Sequence, residues 1–218
     1  QAIGVSQMMR KELGIDRVLI ICPTSLKYQW QSEIKKFTGE NALVIEGTPP
    51  IRWEQYKQDD FYKIVSYHTV ANDVSTNSFA DYDMIILDEA QRIKNWKTKI
   101  AQAVKKIQTP YCMVLTGTPL ENKIEELYSI VQYVNPFILG PYYRFIDYYQ
   151  IKNRDGKVIG YQYLNEIGEL LAETVKRRKK SEVLLQLPKR MDKNLFVPMT
   201  GQQRDLHTEF QEQVAKLV

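Results

Sequence analysis

Five short apolar runs recur along the chain: "RVLIIC", "ALVIEG", "YKIVSY", "MIILD" and "YCMVLT". Several are apolar throughout rather than alternating, the pattern of strands covered on both faces. Between them lie segments of helical period. "SLKYQWQSEIKKF" places Leu26, Trp30, Ile34 and Phe37 on one face and stops at Gly39. "NWKTKIAQAVKKI" aligns Ile100, Ala103, Val104 and Ile107, with Asn95 as the expected N-cap. "TPLENKIEELYSIVQYV" aligns Leu120, Ile124, Leu127, Val131 and Val134. A further helix, from Ile3 to Leu13, precedes them and ends at Gly14. Doubly buried strands alternating with helices predict an α/β fold, a mainly parallel sheet flanked by helices.

The alternation stops after Pro136. Tyr142, Tyr143, Tyr148, Tyr149, Tyr161 and Tyr163 crowd together, and "YYQIKNRDGKVIGYQY" predicts a hairpin with a type I′ turn at Asp155-Gly156. A short helix is expected over 166–175. "KNLFVPMT" reads as one more strand. The last helix opens with Thr200 and Gln203 in capping-box spacing, with Leu206, Phe210 and Leu217 on one face.

Composition narrows the function classes. The 218 residues are 44% hydrophobic and 26% charged, enough for a sizeable core. No apolar run approaches the ~18 residues of a membrane span, which argues against a membrane protein. The chain begins at Gln1 rather than Met, so the native amino terminus is expected upstream. Cys22 and Cys112 each sit in an apolar run, as reduced core thiols do in an intracellular setting. His68 and His207 are far apart without cysteine company, so no metal cage is expected from them. Charge is uneven: residues 176–193 hold eight basic and two acidic residues, leaving 22 basic and 24 acidic elsewhere. A solvated face and a polyanion partner both fit such a run.

The chemistry-bearing residues sit where apolar runs end. In a parallel sheet the carboxyl ends of strands form the ligand crevice. "IICPTSL", "IILDEAQ" and "VLTGTPLEN" all end there. Asp88 and Glu89 suit nucleotide hydrolysis, one carboxylate holding magnesium through water and the other orienting the attacking water. Acidic residues also favour helix starts through the macrodipole. Thr118, Pro119 and Glu121 make a capping box in their own right, which leaves Thr116 and Gly117 unexplained.

In this order the motifs resemble the first motor lobe of helicase superfamily two. "DEAQRIKN" followed by "LTGTPLEN" is similar to the Swi/Snf-type family of ATP-driven DNA translocases. "LIICPTSLKYQWQSEIKKF", "IVSYHTV", "VKRRKKSEVLLQLPKR" and "VPMTGQQRDLH" resemble its further motifs, so the likeness covers almost the whole chain. It implies a three-layer RecA-like lobe over 1–137, truncated at its N-terminus. A family-specific protrusion with hairpin and basic run would follow over 138–192, and a returning strand and helix over 193–218 leading toward a second lobe. It implies ATP and Mg2+ as cofactors, with Asp88 serving magnesium and Glu89 the attacking water. Gln91, which stands where many relatives carry histidine, joins Thr116, Gly117 and Thr118 in coupling nucleotide state to DNA grip. Pro23, Thr24, Ser25, Tyr67, Lys179 and Lys180 would face double-stranded DNA. The tyrosines would stack on bases or pack among themselves; the basic run would touch DNA or brace the lobes. The implied partners are DNA, a second RecA-like lobe of the same protein and a nucleoprotein substrate, in the bacterial nucleoid or the nucleus. The family's Gly-Lys-Thr phosphate loop is not in this sequence, although "QAIGVSQMM" resembles the helix that follows it. The isolated chain is therefore expected to be inactive. A nucleotide-independent DNA-binding or protein-interaction module with a lost phosphate loop is the alternative. A restriction-enzyme motor shares the carboxylates, but "LTGTPLEN" with "RRKK…LPKR" argues against it.

Overall fold

The structure is a computed structural model that describes residues 1–218 except 76–78, 80, 118–122, 179–192, 194 and 216–218, and the side chains of 212–215. Gln1–Val175 form one compact unit and Lys176–Val218 a second.

The first unit is built on five parallel strands in the order β2-β3-β1-β4-β5. They are β1 (Val18–Cys22), β2 (Ala42–Val44), β3 (Tyr62–Ser66), β4 (Met84–Leu87) and β5 (Tyr111–Val114). All five residues of central β1 are fully buried, as expected of a strand covered on both faces. Successive side chains point to opposite faces, and each face has its own core. Leu19, Ile21, Val65, Ile85 and Leu87 pack with α3 (Pro49–Lys57), α4 (Tyr67–Asp73), α5 (Lys99–Lys105) and Ile130 of α6 (Ile124–Val134). Val18, Ile20, Cys22, Ile64 and Ile86 pack on the other side with Ala2 of α1 (Ala2–Leu13) and Ile34 of α2 (Lys27–Thr38). The result is a three-layer α/β lobe.

Helix α6 also turns Ile124, Leu127, Tyr128 and Val131 toward a third core. Phe145 and Tyr149 of α7 (Tyr142–Tyr149) and Ile167 of α8 (Leu164–Leu170) fill it. Of the clustered tyrosines, Tyr149 is buried in this core and Tyr161 packs against the core, whereas Tyr142, Tyr143, Tyr148 and Tyr163 stay 40–67% exposed; Tyr128 meets Tyr142 edge-on at 5.1 Å, and Tyr148 stacks on Tyr163 at 5.2 Å.

Several local expectations change. Thr98, not Asn95, caps α5, its hydroxyl accepting from the Ala101 amide at 3.2 Å. The Asn95 side chain instead accepts from Lys97 N, closing the turn before the helix. Phe37 is 67% exposed because α2 ends at Thr38, beyond the sheet's cover. The hairpin of β6 (Gln150–Lys152) and β7 (Val158–Tyr161) does not use a type I′ turn. Only Gly156 of the pair has positive φ (79°), and the Gly156 amide bonds to Asn153 O at 3.0 Å, so the loop is a type I turn closed by a left-handed glycine. Helix α8 runs earlier than expected, ending at Leu170. Leu195, Phe196 and Val197 are exposed and form no strand, since the segment has no ladder partner among the described residues. Thr200 and Gln203 do exchange reciprocal capping bonds at the start of α9 (Gly201–Ala215). Leu120, Leu217 and the Thr118–Glu121 capping box lie outside the described residues. Among the described residues no helix is long and apolar enough to cross a membrane.

Candidate active site

The chain leaves β1 for the edge strand β2 but reaches β4 on the other side of β1. Such a reversal opens a crevice at the strands' carboxyl ends. The segments after β1 and β4, which carry Pro23–Ser25 and Asp88–Glu89, are therefore neighbours.

The Asp88 amide still continues the sheet, donating to Ile21 O at 2.9 Å. Glu89 then breaks it by adopting the left-handed conformation (φ 52°, ψ 51°), uncommon for a residue with a side chain. That kink turns the chain into a short 3-10 helix, Ala90–Ile93, with the Ala90 amide on Leu115 O at 3.0 Å. Asp88 is fixed from three directions. Its Oδ1 accepts from the Glu89 amide at 2.9 Å, its Oδ2 from the Trp30 indole Nε1 at 2.8 Å, and its carbonyl from the Tyr67 hydroxyl at 2.8 Å. Gln91 links two motifs: its Nε2 donates to Glu89 Oε2 at 2.6 Å, and its Oε1 accepts from the Thr116 hydroxyl at 3.1 Å.

A cleft of about 1080 Å³ lies in front of these groups, lined among others by Gln1, Gly4, Trp30, Phe37, Asp88 and Glu89. Asp88 and Glu89 are half-buried on its wall. Ala2, Ile3 and Gly4 of α1 line the same cleft. Two carboxylates on the wall of one cleft suit a ligand that brings its own cation. Each Asp88 oxygen accepts one bond and keeps a second lone pair, which suits a cation that retains most of its water. Among the described residues no three His, Cys, Asp or Glu side chains gather into a closed cage.

Burial, reinforced by Asp88, pushes the Cys22 thiol up to about 12, so it is inert. Burial raises Tyr67 as well.

Asp88, Glu89, Gln91 and Thr116 come together as one bonded group. Gly117 follows, exposed, and Thr118 lies outside the described residues. Pro23 caps a short 3-10 helix, Thr24–Leu26, with Thr24 and Ser25 exposed. Tyr67 corrects the expectation that it faces DNA: it is 2% exposed, the first residue of α4, with its hydroxyl turned inward to Asp88. Lys179 and Lys180 lie outside the described residues. Trp30 is the residue that sequence reading missed, taken only as part of an apolar face. Its indole N–H was the available signal, since a half-buried tryptophan generally finds an acceptor.

Comparison with known proteins bears on this geometry. The profile of the SNF2-related domain matches residues 3–217. An uncharacterised ATP-dependent helicase of Mycoplasma pneumoniae is 32% identical over 88% of this chain, which spans 18% of that protein. The TATA-binding protein-associated factor MOT1 of Saccharomyces cerevisiae is 29% identical over 92% of this chain and 11% of its own length. Among solved structures, the Sulfolobus solfataricus SWI2/SNF2 ATPase core in complex with dsDNA superposes with a TM-score of 0.71 at 28% identity. That match covers 99% of this chain and 45% of the other.

Proposed function

The chain belongs to the SNF2-related domain family, and on that premise we propose that it is the first motor lobe of a protein coupling ATP hydrolysis to movement along double-stranded DNA or to remodelling of DNA–protein complexes. The observation that carries the reading is the placement of Asp88 and Glu89 in the cleft, beside the exposed Thr24–Ser25 turn on the neighbouring strand. Chemistry and DNA contact then share the carboxyl ends of two adjacent strands. Names of the relatives agree: one is an ATP-dependent helicase, and one solved core was captured with dsDNA.

In this reading residues 1–137 are the lobe proper, 138–192 its protrusion, and 193–218 lead toward a second lobe, which the greater length of the relatives can accommodate. Mg2+ and ATP, when bound, supply the charge neutralisation and the cleavable phosphate. Asp88 would hold the ion through water, and Glu89 would orient the attacking water by accepting its hydrogen bond. Gln91 and Thr116, with Gly117 and Thr118, transmit the state of Glu89 toward the DNA side. Pro23, Thr24 and Ser25 meet backbone phosphate, which positions a duplex without reading its sequence. Lys179 and Lys180 add non-specific attraction.

The test is phosphate release by the full-length protein with and without duplex DNA. Hydrolysis should rise with DNA. Glu89→Gln should keep nucleotide binding and lower turnover by ~10²–10³, as for loss of one transition-state group. Turnover unchanged by that substitution would mean that Asp88 and Glu89 only begin the following helix, whereas DNA binding with no hydrolysis and no nucleotide dependence would support a nucleotide-independent module.

A further inference from the structure

We propose that Trp30 is a positioning residue for this site: its indole N–H fixes the Asp88 carboxylate for cation binding. The inference rests on the functional reading above and deepens it.

Helix α2 delivers the indole directly to Asp88. Its Nε1 donates to Asp88 Oδ2 at 2.8 Å, a contact between residues 58 apart in sequence. A carboxylate on a strand end can rotate about its side-chain torsions. Asp88 cannot do so freely, because its two oxygens are held by different elements. Oδ1 is held by the local Glu89 amide and Oδ2 by α2. Two donors on two oxygens define the carboxylate plane. They leave one lone pair on each oxygen for the water shell of a cation. Partners outside the ligand set orient ligands in just this way. Both Trp30 and Asp88 line the cleft, so the bond lies at the site rather than behind it. The indole also brings an apolar face that thins the water around a charge-assisted hydrogen bond.

A packing role makes the opposite prediction, and two substitutions separate them. Trp30→Phe keeps a flat apolar ring and removes the donor. Trp30→Gln removes the ring and keeps an N–H donor at the same number of bonds from Cβ. The measurement is Mn2+ retention by full-length protein with ADP, followed by electron paramagnetic resonance, beside the Mg2+ concentration giving half-maximal ATP turnover. If Trp30 positions Asp88, Trp30→Phe weakens Mn2+ retention by ~10-fold and raises the Mg2+ requirement alike. Turnover at saturating Mg2+ stays within about twofold, and Trp30→Gln restores most of the loss. In an Asp88→Asn background, Trp30→Phe should then change Mn2+ retention no further. Normal metal affinity in Trp30→Phe, with loss of affinity or folding only in Trp30→Gln, overturns the proposal in favour of packing. A wild-type protein that neither retains Mn2+ with ADP nor hydrolyses ATP overturns the functional reading first, and this proposal with it.

Discussion

Tyr67 shows how one hydroxyl decides between two roles. Facing outward, it would contact a phosphate; turned inward, it supports the backbone of Asp88 at 2.8 Å. Tyr67→Phe should therefore lower the stability of the lobe by about 1 kcal/mol, the net worth of one hydrogen bond. DNA affinity and its salt dependence should not move. A weakened DNA complex at unchanged stability would restore the DNA-facing role. Asp88 and Glu89 were legible because their signal is local: an apolar run ending in two charges. The Gln91–Thr116 bridge was half legible, since two motifs implied coupling but not which atoms met. The Trp30–Asp88 bond was not legible at all. Its partners belong to different strand–helix units, and only the order of strands in the sheet brings them together.

At the scale of elements, the five strands announced themselves while helices α3, α4 and α7 did not. Helix α3 is marked only by Thr48 followed by prolines at its first turn, a valid start signal hidden behind "TPP". Helix α4 begins inside what read as the end of a strand, where the Ser66 hydroxyl accepts from the Thr69 amide at 3.1 Å. Neither has a long apolar face, so periodicity is silent. What joins them is a buried polar network. Arg52 Nε donates to Asp73 Oδ2 at 2.7 Å, its Nη2 pairs with Asp73 Oδ1, its Nη1 donates to Gly47 O at 2.6 Å, and the Tyr56 hydroxyl donates to Asp73 at 3.1 Å. The charged groups of Arg52 and Asp73 are only 11% and 9% exposed. Asp73→Ala should leave a buried guanidinium without its carboxylate, at a cost of about 3–5 kcal/mol. Chemical unfolding followed by fluorescence would show it, and a loss below 1 kcal/mol would mean that water already shares the pair.

At the scale of the whole molecule, two charge patterns make separate predictions. Burial raises Tyr56, Tyr67, Tyr82, Tyr133 and Cys22 in the folded lobe. The unfolded chain ionises these groups near their ordinary values, about 10 for tyrosine and 8.5 for cysteine. Above those values the folded state binds more protons, so stability falls as pH rises, by up to ~1.4 kcal/mol per group per pH unit. Burial lowers Lys63 and Lys105, which oppose the trend but are fewer. The unfolding midpoint should hold up to about pH 9 and drop steeply through pH 10–11; a level midpoint to pH 11 would contradict it. The second pattern is the basic run, read from composition alone, because most of it lies outside the described residues. If 176–193 faces duplex DNA, its contribution is independent of sequence and sensitive to salt. Each phosphate neutralised adds about 0.9 to the slope of log affinity against log salt. Reversing Lys179 and Lys180 to Glu should weaken binding uniformly across sequences and flatten that slope by roughly 1–2. Lysine suits this test because exposed lysines contribute little to stability. Arg177 and Arg178 suit it less, since arginine is the stronger partner in buried or interlobe pairs. A run that only braces one lobe against another predicts an unchanged slope, with lower DNA stimulation of ATP hydrolysis in the full-length protein. DNA affinity of the wild type and the double reversal, measured at several salt concentrations, separates the two.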